Sequence, residues 1–325
     1  MKVFVDPSCD IQYASFYIYG LHQTYGKKNV TFSSKYFKQF RHNNHFFAFV
    51  VKDETSLKKV VIDFTDSRII DTTALNWCDV YGKINLDDSI KKNNKTIPIG
   101  PSFGIQIYSL FETIWYAFTN LIKSYKRIPD KRKFISDYKA QYKRPKYSDY
   151  KSVSNNNNYV FFMSSLWKQE AVTNTFRGNF IKSCKANPNV TFEGGFAPRT
   201  KNDIKGYEDL TVTSRIPMKV YLKKIINSNF VFNTPAVKSC HGWKLAEYLC
   251  LGKAVISTPL SRNLPKELEN RKDIFFTNGE EKDVTEKVNE IVMNIPLKQQ
   301  LESNAKAYFG TYLAPKQVIL RLTVH

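Results

Sequence analysis

Glu247 is the residue whose type and place ask most plainly for a chemical explanation. It lies in the segment WKLAEYLCLGKAVIST (residues 243–258), where Leu245, Leu249 and Cys250 make an apolar helical face. Gly252 stands where a left-handed residue closes a helix, and Ala254, Val255 and Ile256 follow as a short buried strand. A carboxylate is costly to bury alone, so Glu247 must face a partner, a ligand or a cleft. Other polar side chains fall where apolar runs stop. Asp6, Ser8 and Asp10 follow KVFV, and Asp63, Thr65, Asp66 and Arg68 end the run at 60–64. Ser164 and Ser165 end YVFFM, Gly194 and Gly195 follow residues 190–192, and Asn233, Thr234 and Pro235 follow residues 230–232. Ligands of parallel sheets bind beyond the carboxyl ends of strands, so these tips are where binding and acid–base groups are expected.

The elements that position them form two series. Residues 2–5, 30–33, 46–51 and 60–64 read as strands, 11–25 as an aromatic-rich helix closed by Gly26, and 97–102 as a strand ending in a Gly-Pro turn. Acids gather again around Trp77, Asp79 and Tyr81. Residues 105–125 are aromatic and apolar and then turn basic at Lys123, Lys126 and Arg127, which fits either a core helix or an interfacial helix on an anionic membrane. From 130 to 158 the composition shifts to Lys, Arg, Tyr, Pro and Asp and ends in four asparagines, which predicts a domain boundary without a packed core. The second series has strands at 159–163, 190–192 and 230–232, helices at 168–185 and 217–226, the Glu247 segment, and late helices at 284–293, 297–309 and 312–324. Strands alternating with helices predict an α/β protein with parallel sheets, built as two Rossmann-like domains facing a cleft.

Composition narrows the partners. In 325 residues, 49 Lys and Arg outweigh 29 Asp and Glu, a net charge of +20 that attracts polyanions: nucleic acid, an anionic bilayer or phosphorylated small molecules. An apolar fraction of 42% is that of a folded protein, and no apolar segment is long enough to span a bilayer. Cys9, Cys78, Cys184, Cys240 and Cys250 are scattered, which argues against a disulfide framework or a zinc site and fits a reducing cytosol. The opening MKVFVDPSCD has no long apolar signal region, so the Asn-x-Ser/Thr triplets at Asn29, Asn94 and Asn189 read as chance. Asp87 and Asp88 are a bare pair near a basic run, and neither a metal nor another cofactor is expected.

The order of a Glu on a short helix, Gly-Lys, and an apolar strand in residues 243–258 resembles the donor site of glycosyltransferases with two Rossmann-like domains, the GT-B fold. The strand with a polar tip at 161–165, the segment 189–194 and the final helix add to that likeness, and bacterial capsular and lipopolysaccharide transferases are the nearest kind. The resemblance covers the second domain; over the first it is architectural. It implies an acceptor domain at 1–152 that includes the basic linker, a nucleotide-sugar domain at 153–308, and a helix at 309–325 returning to the first domain. It implies further that Glu247 accepts hydrogen bonds from two ribose hydroxyls, as a carboxylate can. The donor diphosphate would lie on the helix N-terminus at His241, Gly242 and Trp243, with Lys168 and Arg177 supplying charge and Ser165, Thr234 and Lys244 beside it. Lys244 is alternatively a plain ion-pair partner of Glu247. The base for an inverting transfer would come from Asp66, Asp10 or Asp6. Many retaining members carry a second glutamate where this chain has Ser239, which departs from their pattern, and His241 is the nearest polar substitute for it. The function implied is sugar transfer from a nucleotide-diphosphate donor to a saccharide or lipid-linked acceptor in surface polysaccharide synthesis. The expected place is the cytoplasm, peripheral at the inner face of the membrane. A noncatalytic binding or scaffold protein of the same fold would explain Ser239, and a nucleic-acid-binding protein would explain the charge, though no nucleic-acid motif is present.

Overall fold

The structure, a computed structural model, describes residues 1–42, 45–89, 93–151, 153, 157–199 and 204–324. The predicted boundary stretch therefore falls partly outside the described residues, at 152 and 154–156. The chain forms two compact units: Met1–Asp149 with Asn263–Lys266 and Thr311–His325, and Tyr150–Arg262 with Glu267–Gly310.

Unit 1 opens with β1 (Lys2–Val5), α1 (Ile11–Tyr25), β2 (Val30–Phe32), β3 (Phe46–Lys52), β4 (Leu57–Asp63), α2 (Thr72–Trp77), β5 (Val80–Lys83) and β6 (Thr96–Pro98). Its sheet has the order β2-β1-β3-β4-β5-β6. The sheet is not wholly parallel as the sequence reading expected, because β3 runs antiparallel to both β1 and β4. The cause lies in the connection between β3 and β4. A parallel crossover needs about a dozen residues or more, and Asp53 instead closes a tight turn, its Oδ1 accepting from the backbone of Thr55 at 2.9 Å and Ser56 at 2.6 Å. The other pairs are parallel. Gly26 ends α1 with φ 82°, a left-handed angle that glycine tolerates without strain.

Two helices follow that the sequence reading placed differently. α3 (Leu110–Ser124) starts in a Ser109/Glu112 capping box. It is not a core helix: it buries Thr113, Ala117, Asn120 and Ser124. α4 (Lys131–Tyr142) lies in the stretch expected to lack a core, yet Phe134, Tyr138 and Gln141 are buried at helical spacing. Asn120 donates to the Tyr138 hydroxyl at 2.8 Å, so α3 and α4 pack through a polar contact that hydropathy does not reveal.

Unit 2 contains β7 (Tyr159–Ser165), α5 (Ala171–Ala186), β8 (Thr191–Ala197), α6 (Met218–Asn227), β9 (Phe230–Asn233), α7 (Trp243–Cys250), β10 (Ala254–Ser257), β11 (Phe275–Phe276), α8 (Glu281–Met293) and α9 (Ile295–Tyr308). β7 pairs in parallel with β8, and β9, β10 and β11 form a second parallel ladder. The two ladders meet at β7 and β9, where the Asn229 N–H donates to the Tyr159 carbonyl at 2.8 Å. The order is thus β8, β7, β9, β10, β11, a Rossmann-like succession. Phe180 of α5 stacks on Phe232 of β9 at 4.4 Å between centroids, at the centre of a core shared with Phe162, Ile256 and Val284. Gly252 takes φ 61° after α7, as its place in the sequence requires.

α10 (Pro315–Thr323) belongs to unit 1 and packs on α1. The approach is close because α1 has Gly20 there: a Cβ at that position would collide with the Pro315 carbonyl and come within 2.8 Å of Ile319. Gly20→Val is expected to lift α10 from α1 and cost about 2–3 kcal/mol, since overpacked contacts against backbone relax poorly. Proteolysis of the native-state chain checks this: the 311–324 segment should be cut sooner in the variant, and equal cutting rates would refute it.

Candidate functional site

The most coherent polar cluster lies in unit 2, at the carboxyl ends of β7 and β9. In a sheet of this order the connections leave β7 and β9 in opposite directions, and the crevice between those strands is the topological switch point where ligands bind. Three residues expected there from sequence are joined directly. Arg177, buried on α5, donates through Nε to the Thr234 hydroxyl at 2.9 Å and through Nη1 to the Ser165 carbonyl at 3.0 Å. Burial pulls its guanidinium down to about 10.

Lys244, in the first turn of α7, points its ammonium to the Met163 carbonyl of β7 and lies 4.9 Å from the Phe162 ring centroid. Its pKa falls to about 7, through burial first and then repulsion from Arg177, with Glu247 opposing. Two cations drawn together with so little water are an arrangement that an anion would relieve. Gly242 is the N-cap of α7 and brings no side chain to cap its first N–H groups. Glu247, three residues beyond Lys244, is 4% exposed, and its Oε1 accepts from the Tyr150 hydroxyl at 3.1 Å. The carboxylate is therefore met by a tyrosine from the start of unit 2, a partner that local sequence does not reveal.

The loop from β9 into α7 is held in an uncommon shape. Lys238 and Ser239 both have positive φ, 56° and 58°. Each costs of order 1–3 kcal/mol for a residue other than glycine. Their conformation is fixed from outside: Arg262 donates to the Lys238 carbonyl at 2.8 Å, Ser261 to the Ser239 carbonyl at 2.7 Å, and the Lys238 N–H reaches Glu170 at 2.7 Å. His241 is buried in this loop and Trp243 begins α7. Lys168 stands apart. It was read as the start of a helix, but α5 begins at Ala171 and Lys168 is exposed in the preceding turn. Lys253 is fully buried and structural: its ammonium donates to the carbonyls of Ile226 at 2.5 Å and Ser228 at 2.8 Å, at the end of α6.

The acids proposed from sequence in unit 1 differ in their surroundings. Asp6 is bound by Arg127, whose Nη2 lies 3.0 Å from Oδ1. Asp66 is exposed beyond β4. Asp10 is buried, occupies the N-cap position of α1 without making a capping bond, and its Oδ1 has no hydrogen-bond donor. Burial first, then repulsion from Asp137, raises its pKa, while Lys133 at 3.7 Å opposes the rise. A carboxylate so placed is a stronger base than an exposed one. A second buried group was missed entirely: Lys83, at the end of β5, lies 2.8 Å from Asp63, which also accepts from the Tyr81 hydroxyl at 2.5 Å. Lys83 and Asp63 are twenty residues apart, and only the parallel register of β4 and β5 pairs them. Among the described residues no three His, Cys, Asp or Glu side chains gather as a metal ion would need, all five cysteines are buried outside any disulfide, and no helix is long and apolar enough to cross a membrane.

No family model and no curated protein matches this chain. Among solved structures it is similar to the C-terminal domain of a glycosyl transferase group 1 family protein from Francisella tularensis, at 15% identity and TM-score 0.37, over 50% of this chain and 86% of that one. It is similar to Anabaena HepE in complex with UDP, at 12% identity and TM-score 0.44, over 77% of this chain and 65% of that one. A third likeness is to MnaA of S. aureus with UDP, at 13% identity and TM-score 0.41, over 78% of this chain and 62% of that one. The chain thus spans less than two thirds of HepE and MnaA. At these scores the likenesses carry no chemistry over, and the site stands on its own residues.

Proposed function

We propose that the protein is a glycosyltransferase of the GT-B kind that takes its sugar from a nucleotide-diphosphate donor. The observation that carries this is the convergence of Arg177 and Lys244 with the Gly242 N-cap of α7 at the β7/β9 switch point, one helical turn before the buried Glu247. Two cations beside a helix N-terminus suit a diphosphate, and a carboxylate suits a ribose diol. In the transfer, the bond from the anomeric carbon to the diphosphate breaks and one to the acceptor oxygen forms. Arg177, Lys244 and the start of α7 stabilise the charge gathering on the diphosphate, and the acceptor's proton passes to a general base. No metal is assigned a part. The acceptor is a saccharide or a lipid-linked saccharide of bacterial surface polysaccharide synthesis, met at the cytoplasmic face of an anionic membrane.

The test is thermal stability against a panel of nucleotides and nucleotide sugars, for the native chain and Glu247→Ala. A true donor at a hundredfold excess over its Kd should stabilise the native chain by about 2.7 kcal/mol and lose most of that effect in the variant. The titration with a nucleotide sugar should also weaken with pH. The diphosphate raises the Lys244 pKa above its unliganded value near 7, so binding takes up a proton and affinity falls by up to about tenfold per unit above that pH. No stabilisation by any nucleotide would refute the reading. A noncatalytic binding protein is the second reading, favoured by Ser239 in place of a carboxylate and by the Tyr150 contact on Glu247; it predicts nucleotide binding without sugar release.

A further inference from the structure

We propose that α3 docks the protein on an anionic bilayer with its outer face. The helix is built inside out. At 100° per residue, Phe111, Ile114, Trp115, Phe118, Ile122 and Tyr125 fall within an arc of about 100°, opposite the buried Thr113, Ala117, Asn120 and Ser124. The apolar arc faces solvent: Phe111 is 78% exposed, Ile114 62% and Phe118 60%. Six large side chains in one unbroken stripe are more than the scattered surface apolar residues of a folded protein, and a patch of this kind marks an interaction surface. The helix cannot simply roll over to bury it, because Asn120 bonds Tyr138 and Lys123 bonds the Phe32 carbonyl.

Charge selects the occupant. The carboxyl end of α3 is ringed by cations, with Lys126 and Arg132 exposed beside it. The loop tied to this end, through Ser34 to the Lys123 carbonyl and Arg127 to the Phe37 and Phe40 carbonyls, carries exposed Lys35, Lys38 and Arg41 and no acid. The nearby acids are engaged: Glu112 pairs with Lys27, and Asp130 caps α4. A second copy of the chain meeting this face about a two-fold axis would set the basic ring against itself. An anionic lipid surface satisfies both halves, since acyl chains take the aromatic stripe and headgroups take the lysines and arginines. The proposal deepens the membrane-facing part of the reading above, and it concerns a face of unit 1 that shares no residue with the donor site.

Flotation of the full chain with phosphatidylcholine vesicles, with and without phosphatidylglycerol, tests it. The native chain should partition at least tenfold more onto the anionic vesicles and lose most of that gain when salt is raised from 0.1 to about 0.5 M. I114D/F118D should reduce binding at least tenfold without lowering Tm, and Lys126→Ala with Arg132→Ala should reduce it only on anionic vesicles. Ile69→Asp, an exposed apolar residue outside the stripe, should leave binding unchanged. The proposal is overturned if I114D/F118D binds like the native chain, if neutral and anionic vesicles bind alike, or if the native chain ignores vesicles and forms a dimer that I114D/F118D disperses. Vesicle binding by a chain that binds no nucleotide would sustain the docking face while removing the transferase reading.

Discussion

Arg177→Lys should leave unit 2 folded and lower its affinity for a nucleotide-diphosphate donor about 100-fold, some 2.7 kcal/mol. The guanidinium reaches the Ser165 carbonyl with one nitrogen and the Thr234 hydroxyl with another, at 3.0 and 2.9 Å, which holds the tips of β7 and β9 together with a planar fork. An ammonium keeps the charge but reaches one partner at a time, so the crevice loses its shape before it loses its sign. The loss should exceed that of Lys168→Ala, because Lys168 is exposed in the turn before α5. Calorimetric titration of both variants with the stabilising nucleotide decides it. Equal affinities in Arg177→Lys and the native chain would mean that the fork only braces two strands.

The second large effect lies in unit 1 and concerns stability. Lys83→Met should destabilise by about 3–5 kcal/mol, because it leaves a carboxylate buried without its cation. Lys83 is 0% and Asp63 2% exposed, and the Tyr81 hydroxyl and the Thr65 N–H that also bond Asp63 cannot replace a full charge. Lys83→Met combined with Asp63→Asn should recover more than half of the loss, since the double change removes both charges. Urea denaturation reads this as a shift of the unit 1 transition. A double variant no better than the single one would show that the ammonium matters for shape and not for charge. The pair also holds the β4 tip through Lys83 to Thr65 at 3.2 Å, and Asn85 to the Thr65 carbonyl at 2.8 Å, so the loop carrying Asp66 should loosen with it.

What sequence revealed and what it hid follow from the range of each interaction. Gly26 and Gly252 mark the ends of α1 and α7 because left-handed backbone is a local demand, and both helices end there. The tips of β7 and β9 were legible for the same reason: an apolar run that stops at a serine or threonine is visible in a few residues. β3 was misjudged because the length of the connection after it, not the strand itself, decides its direction. In α3 the sequence showed an apolar stripe but not which face the protein keeps, since Asn120 packs inward through a partner elsewhere in the chain, Tyr138. α4 was hidden by its many lysines, though Phe134, Tyr138 and Gln141 carried a helical period. Asp10 was legible as a residue at a strand tip. Its burial and its setting beside Asp137 and Lys133 were not, because those neighbours lie more than a hundred residues away.

The return of α10 to unit 1 makes that unit dependent on a segment made long after it. Gly20 and Gly82 both lie against this helix, with Ile319 and Leu322 over them, so the surface it covers on α1 and β5 stays open until residue 322 has left the ribosome. All of unit 2 is synthesised in that interval. The usual order, in which the amino-terminal unit folds first and alone, is thus closed to this chain: its first unit is finished last, and the apolar floor under α10 is the surface a chaperone would have to shield while the rest emerges.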